Sequence, residues 1–490
     1  MQVKVTRKDK KFLPDSRRVI ARFLYTSDER SKDIIRKVLA LSDKETKTEL
    51  NQVLRGYSKR HRNISRVFET HFEKLSNLFD QLGISPETLN QSQKALIGAY
   101  FTMEYSIESA AIFNPSVVED PYQSELGPGE KRVIFSFRAT GEGHISSIVF
   151  RSAVIDNNND LIVEPVGDML AEADRIKRHI YDKKTFIKHL DELSDFDNKT
   201  SPLFVLEKLG DNFTYGELKR AIREIRYTHH LSPDKEATIN KMMWLALSHY
   251  EIDFSLDSAI SERVIFPISD TEKNGIEDAR FVQFVDDDGE VTYYATYTAY
   301  DGENILPKLL ETKDFYHFKC SPIHGELAQN KGMALFPRKI NGKYAMLCRT
   351  DGVNNYIAFS DNLNIWHDAK LIQKPKYPWE FIQVGNSGSP IETEEGWLII
   401  THGVGPMREY VLGASLYELD NPEKEIGRLK TPLISPNDEE REGYVPNVVY
   451  TCGSIVHNET LIIPYAMSDY ATTYATVNLQ ELLDEIKNSG

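Results

Sequence analysis

Hydrophobic positions recur at intervals of three and four residues in two regions of the chain. The first runs from about residue 30 to 110, where Ile35, Leu39 and Phe72 are typical members of the pattern. The second runs from about residue 169 to 250. Such spacing places apolar side chains along one face of an amphipathic helix. The pattern therefore predicts packed helices in both regions.

Elsewhere, short apolar strands alternate with Gly, Pro and Asn. Five times, a strand ends in a polar residue that precedes a small or glycine-rich turn. The five segments are 133–141, 293–302, 344–352, 397–405 and 461–469, with Arg138, Tyr297, Arg349, His402 and Tyr465 as their marker residues. From the second segment onward the markers lie 52, 53 and 63 positions apart, a spacing typical of four-stranded propeller blades. We therefore predict a mainly β fold, a five-bladed β-propeller.

The helical regions then fall outside the blades. We predict a helical region at 1–110, the first blade at 111–168, a helical insertion between the first and second blades at 169–250, and the remaining blades with a C-terminal helix at 251–490.

Charge is distributed unevenly along the 490 residues, whose formal net charge is −15. Residues 1–70 contain 19 Lys and Arg against 9 Asp and Glu, so the front of the chain is basic and the body is acidic. A basic arm can bind nucleic acid or an anionic membrane, but here acids are interleaved at helical spacing. We favour docking on the acidic body or on a neighbouring subunit, and we expect a homo-oligomer formed through the helical additions.

No apolar stretch approaches the roughly 20 residues that cross a bilayer, and the first 15 residues are charged rather than apolar. We expect a cytoplasmic protein. Cys320, Cys348 and Cys452 are too few and too far apart for a disulfide framework or a zinc motif, so we predict buried, inert thiols. The sequence gives no metal-binding or dinucleotide-binding motif, and we expect neither group.

Closing a propeller directs polar residues at strand ends toward one central funnel. The converging residues would be Arg138, Asp278, Arg280, Arg349, His402 and Asp469. Glu277 and Asp278 are adjacent acids, and strand alternation sends neighbouring side chains to opposite faces. One acid can thus enter a cavity while the other braces the backbone. The competing interpretation is that each polar residue merely caps its own strand.

Six groups of residues together resemble glycoside hydrolase family 130, the mannoside phosphorylases and mannosidases, over about residues 111–480. They are Phe113-Asn114-Pro115; Glu277-Asp278-Ala279-Arg280; Lys331 with Leu335-Phe336-Pro337; Ser360-Asp361-Asn362-Leu363 with Trp366; Gly396-Trp397 with Thr401-His402-Gly403-Val404; and Glu442-Gly443-Tyr444-Val445-Pro446-Asn447-Val448-Val449-Tyr450.

The resemblance implies a five-bladed propeller that cleaves β-mannosidic bonds with inversion, often with phosphate in place of water. It implies that Asp278 is the general acid and passes its proton through a hydroxyl of the mannosyl unit. Ala279 stands where the family has proline, which removes a backbone restraint but neither the acid nor the arginine.

Phosphate is already an anionic nucleophile, so a phosphorylase needs cations where an inverting hydrolase needs a second carboxylate about 6.5–9.5 Å from the acid. The candidate phosphate-binding residues are Arg280, Lys331, Arg349, His402 and Arg408. Two departures from the family weaken this prediction. Gly332 follows Lys331 where many phosphorylases have asparagine, and Gln383 replaces a common lysine.

Sugar rings stack on aromatic side chains, and carboxylates or amides hold sugar hydroxyls. The candidate substrate-binding residues are Asn114, Arg138, Glu277, Tyr297, Asp301, Tyr444, Asn447, Tyr465 and Asp469.

Our leading hypothesis is inverting phosphorolysis of short β-mannosides to α-mannose 1-phosphate, and we expect the mannosides to be β-1,2-linked. We expect no cofactor besides phosphate as cosubstrate. One alternative is a β-mannosidase that uses water, with Glu277 or Glu442 as base. Another is a carbohydrate-binding propeller without catalysis.

Overall fold

A computed structural model describes residues 3–173, 175–178, 180–191, 200–228, 230–302 and 305–489. Its α-helices lie in the two regions that the hydrophobic spacing predicts, with one more at the C-terminal end. They are Asp28–Leu39, Asp43–Tyr57, Ile64–Glu73, Ser76–Leu82 and Gln91–Tyr100, then Lys183–Asp191, Leu203–Leu206, Tyr215–Thr228 and Pro233–Ser248, and finally Leu479–Ser489.

Local sequence explains where the N-terminal helices begin and what they bury. Ser42 and Asn90 each form a capping box at the start of a helix. The capping side chain accepts a hydrogen bond from the backbone N–H of the third helical residue, and the side chain of that third residue accepts one from the backbone N–H of the capping residue. The apolar faces of the helices meet in a separate core around Ile35, Phe79 and Phe101. Helical periodicity was therefore a sound guide to this region.

Most strands belong to five antiparallel sheets, numbered I to V along the chain. Sheet I contains Ala111–Glu119, Lys131–Thr140, Ser146–Ile155, Leu161–Val163 and Val264–Ile265. Sheet II contains Arg175–Arg178, Tyr250–Asp253, Gly275–Val285, Val291–Tyr300, Ile305–Thr312 and His317–Pro322. Sheet III contains Ala334–Leu335, Tyr344–Cys348, Asn355–Ser360 and Ala369–Gln373, and sheet IV contains Gln383–Asn386, Ile391–Thr393, Gly396–Val404, Tyr410–Tyr417 and Glu425–Arg428; the strands of sheet V are Val5–Arg7, Val449–Tyr450, Ile455–His457, Thr460–Met467 and Ala471–Asn478.

The mainly β prediction is confirmed, and each of the five predicted strand segments lies in a different sheet. Strand contacts link sheet I to II, II to III, III to IV, IV to V, and V back to I. The first strand of sheet I, Ala111–Glu119, and the longest strand of sheet IV, Gly396–Val404, are buried along almost their whole length. Sheets packed between neighbours bury both faces, which accounts for these continuous apolar runs.

The N-terminal region is not only helical. Val5–Arg7 pairs with Ala471–Asn478 and completes sheet V, so segments from opposite ends of the chain share one sheet. A second strand, Val19–Phe23, pairs with Thr102–Ser106. In the second helical region, Ile180–Asp182 pairs with Asn212–Thr214.

Basic side chains near the N-terminus pair with acids of the body, as the interleaved charges suggested. Arg18 donates to Glu108 at 2.6 Å, and Arg151 of sheet I donates to the same carboxylate at 2.7 Å, with all three side chains buried. Arg62 pairs with Glu262 at 2.6 Å. These ion pairs fasten the N-terminal segment to sheet I and to the residues just before its strand Val264–Ile265.

The three cysteines are buried and unpaired, which confirms that prediction. Among the described residues, no helix combines the length and the apolar character that spanning a membrane requires.

Candidate active site

The ends of strands from all five sheets meet at one open cavity, here called the Asp278 cavity. Ten of the predicted site residues line it: Asn114, Arg138, Asp278, Arg280, Tyr297, Lys331, Arg349, His402, Arg408 and Asp469. These residues lie far apart along the chain, so their convergence is a product of the tertiary fold. The remaining five, Glu277, Asp301, Tyr444, Asn447 and Tyr465, are not among the lining residues.

Irregular backbone presents the acid to the cavity. The pairing of Gly275–Val285 with its neighbour shifts register between Glu277 and Arg280, and Asp278 in this bulge has φ of 53°. Asn114 occupies a second bulge, in Ala111–Glu119, with φ of 48°. Asp and Asn adopt this left-handed region more readily than other residues with a side chain. Bulges redirect side chains, which explains how both point out of their ladders.

Asp278 is held through one of its two oxygens. Asn114 donates from Nδ2 to Oδ1 at 2.6 Å, and an Arg138 guanidinium nitrogen lies 3.6 Å from the same oxygen. Among the described residues no hydrogen bond involves Oδ2, so this oxygen is the one available to a substrate. Nε of Arg138 and Oδ1 of Asn114 are also buried without protein partners in the described part of the chain.

We expected one of the two adjacent acids to brace the backbone; the side chain of Glu277 instead pairs with the basic side chains around Asp278. It accepts from Arg138 at 2.9 Å and from Lys331 Nζ at 2.5 Å. These ion pairs occupy the carboxylate, which does not line the cavity, so substrate binding by Glu277 stays a prediction. The positive charge of Lys331 is correspondingly balanced by Glu277.

Two arginines in the cavity have neutral partners instead. Arg280 is buried and donates to Asn386 and, at 2.6 Å, to the hydroxyl of Tyr450. Arg349 donates to His402 Nε2 at 3.1 Å, and its own Nε is buried without a partner among the described residues. No ion pair in the described part of the chain includes either arginine. The two guanidinium groups therefore form a cationic wall that no carboxylate contacts.

The hydrogen bonds around His402 indicate a neutral ring, and its role as a phosphate-binding residue stays a prediction. Its Nδ1 lies 3.1 Å from the backbone oxygen of Asn386, which can only accept, so Nδ1 carries the proton and Nε2 accepts from Arg349. Burial holds the pKa of His402 well below its usual range, and the charges of Arg349 and Arg280 lower that pKa further. The ring orients Arg349 without adding a charge.

Gly332 lies against both arginines. A Cβ at this position would be 3.8 Å from Nη1 of Arg280 and 3.9 Å from Cβ of Arg349, which is ordinary contact. Its φ of 94° is the stronger restriction, because residues with a side chain rarely adopt it. Its carbonyl accepts from Asn386 at 2.7 Å. The sequence departure at this position thus places backbone, not an amide side chain, beside the cationic wall.

Tyr297 lines the cavity, but its hydroxyl is not presented to a ligand. The hydroxyl donates to Glu272 at 2.7 Å, and Glu272 in turn accepts from Lys308 at 2.6 Å in a fully buried ion pair. Tyr250 also donates to Glu272, at 3.0 Å. This network fixes the wall of the cavity from behind.

Four other predicted residues lie elsewhere. Tyr465 is fully buried and its hydroxyl donates to Glu440 at 2.6 Å, so its predicted role as a sugar-stacking residue gains no support here. Tyr444 is 67% exposed, and its ring is tilted against that of His144 with centroids 5.3 Å apart. Asn447 has φ of 61° and accepts from the Tyr410 N–H through its carbonyl. Asp301 follows a strand of sheet II and is absent from the cavity lining, so neither Asn447 nor Asp301 is placed to hold a sugar hydroxyl in this cavity.

The sequence analysis missed several residues of the cavity and its surroundings, notably Asn386, Tyr410 and Tyr450. Tyr450 ends one of the motifs that carry the family resemblance, so its position was a usable signal. Asn386 had no such signal, because its role depends on bonds to Arg280 and Gly332 that only the tertiary structure creates.

Asp469 is a second carboxylate in the cavity. Burial raises its pKa to about 6, and the nearby charge of Asp278 adds to this effect. Its φ of 51° is again left-handed, in the turn after Thr460–Met467. Two acids, Asp278 and Asp469, thus line the same cavity.

Comparisons with known proteins identify similar sequences. The family model of glycoside hydrolase family 130, described as beta-1,4-mannooligosaccharide phosphorylase, matches residues 243–488. The 1,2-beta-oligomannan phosphorylase of Thermoanaerobacter sp. (strain X514) is 36% identical over 219 residues, which cover 44% of this chain and 72% of that protein. The beta-1,2-mannobiose phosphorylase of Listeria innocua is 32% identical over 243 residues, 48% of this chain and 65% of that protein.

Among solved structures, the beta-1,2-mannobiose phosphorylase from Listeria innocua in complex with beta-1,2-mannobiose is similar to this chain. It shares 25% identity, with a TM-score of 0.47 over 78% of this chain and 93% of that one.

The raised pKa of Asp469 makes its charge a cost to the folded state that grows as pH rises from about 4 to about 6. Asp469→Asn removes this cost. We expect the variant to gain about 1–3 kcal/mol of unfolding free energy relative to wild type between pH 4 and pH 7.5, measured by urea denaturation. Asp361→Asn, at a side chain that is 80% exposed, is the matched control and should show no such gain. A stability difference for Asp469→Asn that is equal at both pH values would contradict the assignment.

Proposed function

Because this chain belongs to glycoside hydrolase family 130, we propose that it catalyses the inverting phosphorolysis of short β-1,2-linked mannosides to α-mannose 1-phosphate. The observation that carries the proposal is the cationic wall of Arg280 and Arg349. A buried or half-buried guanidinium without an anionic partner is costly, and phosphate oxygens match its planar donors. An anionic cosubstrate suits this wall better than water does.

In the proposed reaction, a phosphate oxygen attacks the anomeric carbon from the face opposite the leaving sugar. The new C–O bond forms as the glycosidic C–O bond breaks, which inverts the configuration. The leaving oxygen takes a proton that Asp278 supplies through a hydroxyl of the mannosyl unit, as the family resemblance implies. The products are α-mannose 1-phosphate and the shortened sugar, so atoms and charge balance without another reactant.

The remaining cavity residues would position the two substrates. Arg280 and Arg349 hold phosphate, with Arg408 as a further cation of the lining. Asn114 and Arg138 fix the orientation of Asp278, while Lys331 acts through its ion pair with Glu277. The ionised carboxylate of Asp469 accepts a hydrogen bond from a sugar hydroxyl. The β-1,2 linkage is proposed because both phosphorylase relatives described above carry that linkage in their names.

The architecture is part of the proposal. We infer that sheets I to V are the five blades of a propeller, because successive sheets contact one another and the last contacts the first. Their strand ends would then surround the Asp278 cavity at the axis. Contacts between subunits through the helical additions and a cytoplasmic location also remain predictions.

Hydrolysis is a weaker alternative because its two candidate bases are poorly placed. Glu277 is held by two cations, and Glu442 is exposed and does not line the cavity. Incubation with β-1,2-mannobiose tests the choice. We expect mannose and α-mannose 1-phosphate in equal amounts only when phosphate is present, measured by chromatography and phosphorus NMR, and a lower rate on β-1,4-mannobiose. Equal release of mannose with and without phosphate would refute phosphorolysis.

Asp278→Asn tests the acid while keeping the shape of the residue and its tolerance for left-handed backbone. A general acid typically contributes a factor of about 10²–10⁴, so we expect kcat to fall by about that factor with little change in mannobiose binding, measured by calorimetry. Asp361→Asn on the surface should retain wild-type kcat. Unaltered turnover by the Asp278 variant would favour another acid, and absent turnover in wild type would favour a non-catalytic carbohydrate-binding protein.

Arg349→Gln tests the cationic wall. Hydrogen bonds to charged groups contribute about 1.5–3 kcal/mol, so KM for phosphate should rise by roughly 10-fold to 100-fold, whereas KM for mannobiose should change much less. Arg338→Gln is the control, because Arg338 pairs with Glu392 on the surface. Equal rises in both KM values for the Arg349 variant would indicate general damage to the cavity instead of a phosphate site.

A further inference from the structure

Three histidines from separate parts of the chain meet outside the Asp278 cavity. His189 lies in the helix Lys183–Asp191, His249 ends the helix Pro233–Ser248, and His324 follows the strand His317–Pro322. One nitrogen from each ring lies within 4.8 Å of the corresponding nitrogens of the other two. None of the three lines the Asp278 cavity. The proposed reaction therefore gives this cluster no role.

His324 is the member that hydrogen bonding does not explain. It is 1% exposed, yet neither ring nitrogen has a hydrogen-bond partner in the described part of the chain. An unsatisfied buried polar group costs about 1–3 kcal/mol. A core histidine that merely fills space normally donates from one nitrogen and accepts at the other. Within the described ranges both nitrogens of His324 instead lack protein partners, which favours a ligand.

The other two rings suit the same ligand. Nδ1 of His249 lies 3.3 Å from the backbone oxygen of Leu245, which only accepts, so Nδ1 carries the proton and Nε2 carries the lone pair. Metal-binding histidines commonly show this arrangement, in which one ring nitrogen donates to a carbonyl. The His189 ring lies 4.8 Å from that of His324, centroid to centroid, and His189 is half-buried. An approach from solvent is thus open on the side of His189.

We propose that His189, His249 and His324 bind one zinc ion, with water in the fourth position. Three imidazole nitrogens form a donor set that zinc prefers, whereas magnesium and calcium prefer oxygen. Zinc–nitrogen bonds of about 2.0–2.1 Å in a tetrahedron place the nitrogens about 3.3 Å apart. Small side-chain rotations bring nitrogens that already lie within 4.8 Å to that separation.

The zinc ion would join the second helical region to sheet II. His249 directly precedes Tyr250–Asp253, which pairs with His317–Pro322, so two of the ligands lie beside neighbouring strands. The third ligand comes from the helix that carries His189. One ion would thus hold that helix against the sheet, and its removal should loosen this contact without changing the residues of the Asp278 cavity.

The test uses the full chain purified without a polyhistidine tag, stripped with EDTA, loaded with zinc chloride and dialysed. We expect about one zinc per chain by mass spectrometry, a rise of several degrees in melting temperature on loading, and the visible absorption of four-coordinate Co²⁺ when cobalt replaces zinc. His189→Gln should lose all three signals. His367→Gln, at an exposed histidine outside the cluster, should keep them.

Two results would overturn the proposal. One is wild-type protein that retains well below one zinc per chain and shows no zinc-dependent change in melting temperature. The other is a His189→Gln variant that retains wild-type stoichiometry. If that variant does not fold, as judged by circular dichroism, His249→Gln and the EDTA-stripped wild type decide the matter by the same measurements.

Discussion

The arrangement of the cavity depends on keeping two guanidinium groups close together without a carboxylate beside them. Arg280 and Arg349 repel each other, and burial lowers the pKa of Arg349 with help from the charge of Arg280. Neutral partners hold both groups: an amide and a phenol for Arg280, and an imidazole for Arg349. In the described part of the chain neither guanidinium has an anionic partner, and the phosphate of the proposed reaction would supply one.

Such a wall requires a rigid frame, because mobile side chains would separate like charges. The five sheets supply this rigid frame. Bulges at its inner edge interrupt the regular strands. Asn114, Asp278 and Asp469 all have left-handed backbone at the ends or bulges of strands. Strain of this kind persists where the surrounding structure over-determines the conformation, and it clusters at functional sites. Irregular backbone therefore carries Asn114 and both acids of the cavity.

The sequence predicted features that follow a regular pattern along the chain, such as the repeated strand segments and the adjacent acids of one strand. Five strands with polar ends marked five sheets, and of the pair Glu277–Asp278 only Asp278 lines the cavity. Strand alternation alone does not show which face of a strand is buried in the core. Tyr465 lies on the core side, and its hydroxyl donates to Glu440. The neutrality of His402 depends on the carbonyl of Asn386, and the histidine cluster joins residues far apart in the chain. Both depend on tertiary contacts, which local sequence patterns do not predict.

Pairing Val5–Arg7 with Ala471–Asn478 also sets an order of assembly on the ribosome. The early strand is synthesised long before its partner, so it emerges as an unpaired edge of the kind that invites aggregation. Sheets I to IV have all their strands available before sheet V does. The seam between Val5–Arg7 and Ala471–Asn478 therefore forms only after the strands of sheets I to IV have been synthesised, and chains released before residue 471 lack the partner strand that the early strand requires.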